Sequence, residues 1–173
     1  SDVLTLEIGL AFSLLGIMPI LSKRVLELVR EKRAYSKFVR PKTIDNDLIV
    51  IGAGSGGLVA ALIAVTARAK VVLIEKGKMG GDCLNTGCIP SKTLIRSARF
   101  SADVQRAVDF GFKPLTCSFD FTEIMARTKR VIAKIEPHDS AERYESLGVE
   151  VYSGTAKIIS PWEVLVNDEK ISA

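Results

Sequence analysis

The chain has 173 residues, 47% hydrophobic and 25% charged, enough for one domain with a sizeable core and not comfortably for two. Its net charge of +4 is local: residues 1–42 carry eight Lys and Arg against four Asp and Glu, so the remainder is balanced and gives no reason to expect a nucleic-acid partner. Three cysteines, one histidine and no secretory pattern argue against a disulfide scaffold and for thiol chemistry in a reducing compartment.

The first residue is Ser, so the ends of the chain need not be natural ends. Residues 3–21 are mostly apolar. The clean run from Ile8 to Leu21 contains Pro19 and falls short of the roughly 20 apolar residues that span a bilayer. A basic stretch, Lys23 to Lys42, follows and would stay on the cytoplasmic side. Three readings are open: the last transmembrane helix of an upstream domain, a single anchor or interfacial helix, or a helix packed on a partner. The first two imply a cytoplasmic domain attached to the inner face of a membrane. Residues 22–38 space Val25, Leu28, Val29 and Tyr35 among charges, as an amphipathic helix does. Arg40-Pro41-Lys42 ends it, and 43–46 reads as a linker. The boundary therefore divides 1–42, a hydrophobic helix plus a basic amphipathic helix, from a globular domain over 43–173.

From Asp47 the pattern changes. DLIVIGAG (47–54) reads as a strand buried on both faces, Ser55–Arg68 as a helix and KVVLIEK (70–76) as a second buried strand. Together they make a βαβ unit, so the fold class is α/β. Between the strands, Gly52, Gly54 and Gly57 satisfy G-x-G-x-x-G, with Ser55 and Gly56 between the last two. The first glycine allows a tight turn, the second lets the backbone approach a pyrophosphate, and the third allows close helix–strand packing. A helix N-terminus then offers its free N–H groups to the phosphates. Glu75 ends the second strand, where an acid accepts hydrogen bonds from ribose hydroxyls. A Gly-rich turn can occur in any α/β domain, but its place between strand and helix, with Glu75 beyond, points to dinucleotide binding; the turn alone does not separate FAD from NAD.

Residues 80–92 read GGDCLNTGCIPSK. Cys83 and Cys88, five apart, would not meet in a regular helix, but Gly87 and Pro90 disfavour one and a bent turn could join them. A thiolate near a helix N-terminus or near Lys92 would have a lowered pKa. A zinc site from Cys83, Cys88, Cys117 and His138 lacks paired-ligand spacing. A static disulfide or two merely buried thiols are the other readings, and Cys117 by itself reads as a small loop or core residue. Further on, Ser91–Val108 and most of Phe121–Leu147 read as helix, with Ile124, Val131, Ile132 and Ile135 on one side and Pro137 as a break. Residues 149–156 read as a strand. Residues 157–173 read as a meander turning at Ser160-Pro161 and Asn167-Asp168.

Residues 47–92 resemble the FAD-binding start of the class I pyridine nucleotide–disulfide oxidoreductases, the family of dihydrolipoamide dehydrogenase, glutathione reductase and mercuric reductase. GGDCLNTGCIPSK is close to that family's redox-disulfide signature, and residues 136–164 look most like its mercuric-reductase-like members. Residues 1–42 more weakly resemble the end of a SNARE-associated (DedA-like) membrane domain. The resemblance implies a Rossmann-like FAD-binding domain, incomplete here. It implies FAD as cofactor, NAD(P)H as co-substrate, and electrons passing through a Cys83–Cys88 disulfide to a disulfide or metal-ion acceptor. It assigns Gly52, Gly54, Ser55, Gly56 and Gly57 to the pyrophosphate and Glu75 to the adenosine ribose. Lys76, Gly81 and Asp82 would lie along the FAD, Asp82 standing where the family more often has Thr. Cys88 would face the flavin, Cys83 the substrate, and Lys92 the isoalloxazine, while Ala156 would meet the adenine through its backbone. No second G-x-G-x-x-G follows residue 57. The family's NAD(P)-binding and interface domains are therefore expected outside these residues, together with a homodimer. His138 does not occupy the context of the family's proton-transferring His. The alternative is a membrane-attached FAD-binding or interaction module without turnover of its own.

Overall fold

The computed structural model describes residues 2–173, with side chains from Met18 onward. It forms two compact units, residues 1–41 and 42–173.

The first unit is one helix, α1 (Asp2–Tyr35), which runs on through Pro19. The sequence pattern divides this stretch into two helices; the structure does not. Proline removes one backbone donor and crowds the preceding turn. Here strong helix formers, Leu, Arg, Glu and Lys, follow it and carry the helix to Tyr35. Ser22 Oγ donates to the Pro19 carbonyl at 3.0 Å. The described side chains of α1 are all exposed, Val25, Leu28 and Val29 included. The apolar run 3–21 lies for the most part outside the residues whose side chains are described. Among those described, no helix is long and apolar enough to cross a membrane.

The second unit has three layers. A parallel sheet of β1 (Leu48–Ile51), β2 (Val71–Glu75) and β3 (Val149–Ser153) lies in the order β1-β2-β3. Helix α2 (Ser55–Thr66) crosses from β1 to β2. Between β2 and β3 come α3 (Gly81–Asn85), α4 (Cys88–Gln105), a 3₁₀ turn (Ala107–Phe110), α5 (Phe121–Ile135), a second 3₁₀ turn (Glu136–Asp139) and α6 (Ala141–Ser146). An antiparallel meander follows, β4 (Lys157–Ser160), β5 (Glu163–Val166) and β6 (Glu169–Ser172).

Strand alternation builds both cores. Val71 and Leu73 of β2 point to one face and pack with Leu58 and Ala61 of α2, Val149, and Tyr144 of α6. Val72 and Ile74 point to the other face and pack with Val164, Val166 and Ile171 of the meander. Thus β2 is buried on both faces, as its unbroken apolar run requires. β1 is not: Ile51 is 50% exposed, because β1 is an edge strand paired only with β2 among the described residues. The Tyr144 hydroxyl donates to the Leu58 carbonyl at 3.2 Å and ties α6 to α2.

The segment 43–46, read as a linker, is anchored. Asn46 N–H donates to the Ser172 carbonyl at 3.2 Å, and the Ser172 hydroxyl bonds the Asp45 carboxylate at 3.1 Å. The strand expected over 149–156 is shorter, ending at Ser153 opposite Glu75, the last residue of its partner β2; the Gly154 N–H makes the final bond of the ladder, to the Glu75 carbonyl. The meander turns where the sequence places its turns, with Asn167 and Asp168 both at positive φ.

Candidate active site

The carboxyl edge of the parallel sheet gathers the glycine turn and the cysteine segment. Gly52 has φ +99°, a backbone region costly for any residue with a Cβ. Its N–H donates to the Ile74 carbonyl at 2.7 Å, which fixes where the turn leaves β1. A Cβ on Gly57 would run into the Gly52 carbonyl oxygen and lie 3.2 Å from Val50 Cγ1. The third glycine therefore lets α2 sit against β1. Gly54 caps α2 with no side-chain hydrogen bond, so the N-terminal turn at Ser55, Gly56 and Gly57 carries no side-chain cap. Such a turn fits a phosphate pair: its N–H groups and the positive helix end are what bind one, and no Cβ at 52, 54, 56 or 57 fills the approach.

Glu75 ends β2 beside this turn. Its Oε2 accepts from Ala53 N–H at 2.6 Å and its Oε1 from Gly77 N–H at 2.7 Å. Ala53, Gly77 and Gly154 gather on Glu75 here, and motif reading does not name them. They act through backbone N–H groups, which leave no side-chain trace; the only clue is a glycine two places after an acid. Lys76 is exposed beside Glu75. Ala156 packs against the meander side of the sheet, just past Gly154, whose N–H donates to the Glu75 carbonyl at 2.9 Å.

The cysteine segment touches the turn. A Cβ on Gly81 would lie 2.8 Å from Gly54 Cα. Gly80 and Gly81 both have positive φ, so the chain swings into α3 directly over the glycine turn. Leu84 anchors α3 in the core. The Asn85 side chain donates to the carbonyls of Met79 and Gly81 at 3.0 and 2.8 Å. The bend expected between the cysteines is real. Thr86 N–H and Gly87 N–H both bond the Asp82 carbonyl, at 3.0 and 2.6 Å, and α4 restarts at Cys88. A Cβ on Gly87 would meet that carbonyl oxygen at 2.9 Å. Helix is not excluded beyond it: Pro90 sits in the first turn of α4, where its missing N–H costs nothing. The expected helix start at Ser91 is thus three residues late. The Asp82 carboxylate is exposed and accepts from the Thr86 hydroxyl at 3.2 Å.

Cys83 is half-buried and Cys88 exposed, both as free thiols. The sequence leads to a lowered thiol pKa here; for Cys83 the structure gives the opposite. Its thiol is pushed above the ordinary cysteine value, first by hydrogen bonding with the Cys88 side chain, then by desolvation and by the charge of the Cys88 sulfur. The Lys92 ammonium, one turn along α4 from Cys88, pulls the other way and is outweighed.

The remaining candidates lie apart from this group. Cys117 is exposed in the loop before α5 and, with Phe100, Phe119 and Phe121, lines an apolar cleft of about 820 Å³ that includes neither the thiol pair nor the glycine turn. His138 is exposed, 3.5 Å from Arg143 Nη1. Among the described residues, no three His, Cys, Asp or Glu side chains group as metal ligands.

The family model for pyridine nucleotide-disulphide oxidoreductases matches residues 46–173. The chain is 40% identical over 126 residues to a dihydrolipoyl dehydrogenase of Acholeplasma laidlawii, covering 72% of this chain and 37% of that one. It is 36% identical to a glutathione reductase of Burkholderia cepacia, over 75% of this chain and 28% of the relative. With a mercuric reductase of Bacillus cereus it shares 28% identity, over 86% of this chain and 24% of the relative. The chain thus spans less than two fifths of the length of these curated relatives. Over residues 46–173 it belongs to the pyridine nucleotide-disulphide oxidoreductase family, whose members use FAD and NAD(P)H.

Proposed function

We propose that this chain supplies the FAD-binding and dithiol part of a flavin disulfide reductase. The observation that carries the proposal is the contact of Gly54 with Gly81, which joins a phosphate-shaped turn to the helix bearing Cys83. Gly52, Gly54, Ser55, Gly56 and Gly57 would hold the pyrophosphate and Glu75 the adenosine ribose. Lys76, Gly81, Asp82 and Ala156 would lie along the cofactor, with Cys83, Cys88 and Lys92 at its reactive end. Bound FAD would supply two-electron chemistry that thiols and nicotinamide do not share directly.

The chain's own part is thiol–disulfide exchange. In the dithiol form, Cys83 loses its proton and its sulfur attacks one sulfur of an external disulfide. A mixed disulfide forms and the first external thiolate leaves. Cys88 then loses its proton and attacks the Cys83 sulfur, the second external thiolate leaves, and the Cys83–Cys88 disulfide closes. Two electrons have passed to the acceptor, and the cysteines need two electrons and two protons to return to dithiol. Cys83 keeps its proton to higher pH than an ordinary thiol, so it acts as a nucleophile only once that proton is taken. A base for that task, the NAD(P)H site and a homodimer partner would come from chain beyond these residues, as the greater length of the relatives suggests.

Reconstitution with FAD followed by desalting tests this reading. Retained flavin absorbance is expected, and protein that elutes colourless would sink it. A second reading, a membrane-attached FAD-binding module without turnover, rests on the exposed apolar side chains of α1, Met18, Ile20, Leu21 and Val25. Steady NAD(P)H oxidation by the 173-residue chain would exclude it. Flotation with anionic liposomes, compared with residues 42–173, tests the attachment itself.

A further inference from the structure

Glu75 touches more of the site than a ribose-binding acid needs to. Its two carboxylate oxygens hold the N–H of Ala53, in the β1–α2 turn, and of Gly77, in the β2–α3 loop. Its backbone carbonyl holds the N–H of Gly154, just beyond β3. The ends of all three parallel strands therefore meet on one residue, at the sheet edge where open α/β folds bind their ligands. The turn it holds contains four glycines in six positions, Gly52 to Gly57, and glycine loses more freedom on ordering than any other residue. A turn of that composition binds a phosphate pair weakly unless something else orders it first, since ordering on binding subtracts from affinity.

We propose that Glu75 is a positioning residue for the phosphate turn: its carboxylate bridges the Ala53 and Gly77 N–H groups before any ligand arrives and so presets the backbone that receives the pyrophosphate. The proposal rests on the dinucleotide reading above and adds a second task to the acid. An ionised carboxylate has about four lone-pair sites. Two are used by the two backbone N–H groups; the other two are free for a vicinal diol. Hydrogen bonds to a charged acceptor are about twice as strong as neutral ones, so the bridge is well suited to hold a glycine-rich turn. Glutamine cannot replace it. One end of its amide accepts, while the other presents N–H to a backbone N–H.

Separating the two tasks requires a nucleotide without the diol. Binding of ADP and of 2′,3′-dideoxy-ADP to the 173-residue chain is measured by calorimetry, for the unsubstituted protein and for Glu75→Gln. Loss of a charge-assisted bridge predicts that Glu75→Gln weakens both nucleotides by roughly tenfold or more. If it weakens ADP and leaves 2′,3′-dideoxy-ADP unchanged, Glu75 serves the ribose alone and the proposal is overturned. If the unsubstituted chain binds neither nucleotide, the dinucleotide reading falls and takes the proposal with it; the two failures are thus distinct. A ligand-free measurement guards against a variant that merely unfolds. In Glu75→Gln the amide protons of Ala53 and Gly77 should lose their downfield shift while those of Val72 and Leu73 in β2 keep theirs. Unchanged Ala53 and Gly77 resonances would also overturn the proposal.

Discussion

Gly54 and Gly57 lie three residues apart in one turn and answer to different physics. Gly57 has no room for a methyl group, because the Gly52 carbonyl oxygen occupies that space. Gly57→Ala should therefore cost about 1–3 kcal/mol in urea unfolding, the range for overpacked interiors. Gly54 has φ −77° and nothing within 4 Å of a Cβ, so Gly54→Ala should leave stability within about 0.5 kcal/mol. If the turn receives a pyrophosphate, Gly54→Ala should nonetheless weaken FAD retention, since the backbone then stands off from the ligand. The thiol pair gives a second prediction at this scale. The pH midpoint of Cys83 alkylation by iodoacetamide should lie above the ordinary cysteine value. Cys88→Ala removes the leading cause and should bring the midpoint down; Lys92→Ala removes the opposing charge and should raise it further. Movement of both variants in the same direction would contradict the assignment. Motif reading named both cysteines and the lysine. It missed the direction of the shift, because charge and helix ends can be read from spacing but a hydrogen bond between two thiols cannot.

At the scale of elements, caps and breaks account for where helices begin. Asp120 caps α5, its Oδ1 accepting from Thr122 N–H at 2.7 Å. Asp120→Ala should cost about 1 kcal/mol, readable as a lowered urea midpoint with an unchanged slope. α5 in turn holds α4 through Arg127, whose Nη1 donates to the Thr93 carbonyl at 3.2 Å. The buried side of α5 was legible from its apolar spacing, Ile124, Val131, Ile132 and Ile135 all being half-buried, whereas its pairing with α4 was not. Two boundaries were not. α4 begins at Cys88 because proline is harmless in a first turn, and α1 passes Pro19 because the residues after it favour helix. In both places a local rule about proline met a position where its cost is small or offset.

For the globular unit as a whole, the meander is the third layer, and Tyr152 joins it to the parallel sheet. Its hydroxyl donates to Glu150 Oε1 at 2.8 Å and lies 3.4 Å from Glu169 Oε1, across on β6. Its pKa is pushed up to about 12, first by the hydrogen bond to Glu150, then by desolvation and the two carboxylates. Since the folded value lies above the ordinary 10.0, the stabilisation is complete below pH 10 and is lost as pH rises toward 12. Ultraviolet titration should show a tyrosine ionising late, and Tyr152→Phe should flatten the fall in thermal midpoint over that window. An identical fall in the variant would assign the loss to other groups. The exposed half of Ile51 belongs to this scale too: β1 offers a free edge that no strand among the described residues covers.

The sequence by itself determined the βαβ order, the glycine turn, the dithiol spacing and the meander turns. Each follows from sterics or periodicity within a few neighbouring residues, and such rules survive without the rest of the fold. Tertiary structure alone decided that β2 is central and β1 an edge, that Gly81 rests on Gly54, and that Glu75 takes up the N–H groups of two loops. Those outcomes depend on which segments the sheet brings to one edge. Ala53 and Glu75 are 22 positions apart, and their hydrogen bond runs through a backbone N–H that every residue but proline carries. No residue type announces such a partner, so only the assembled sheet selects it.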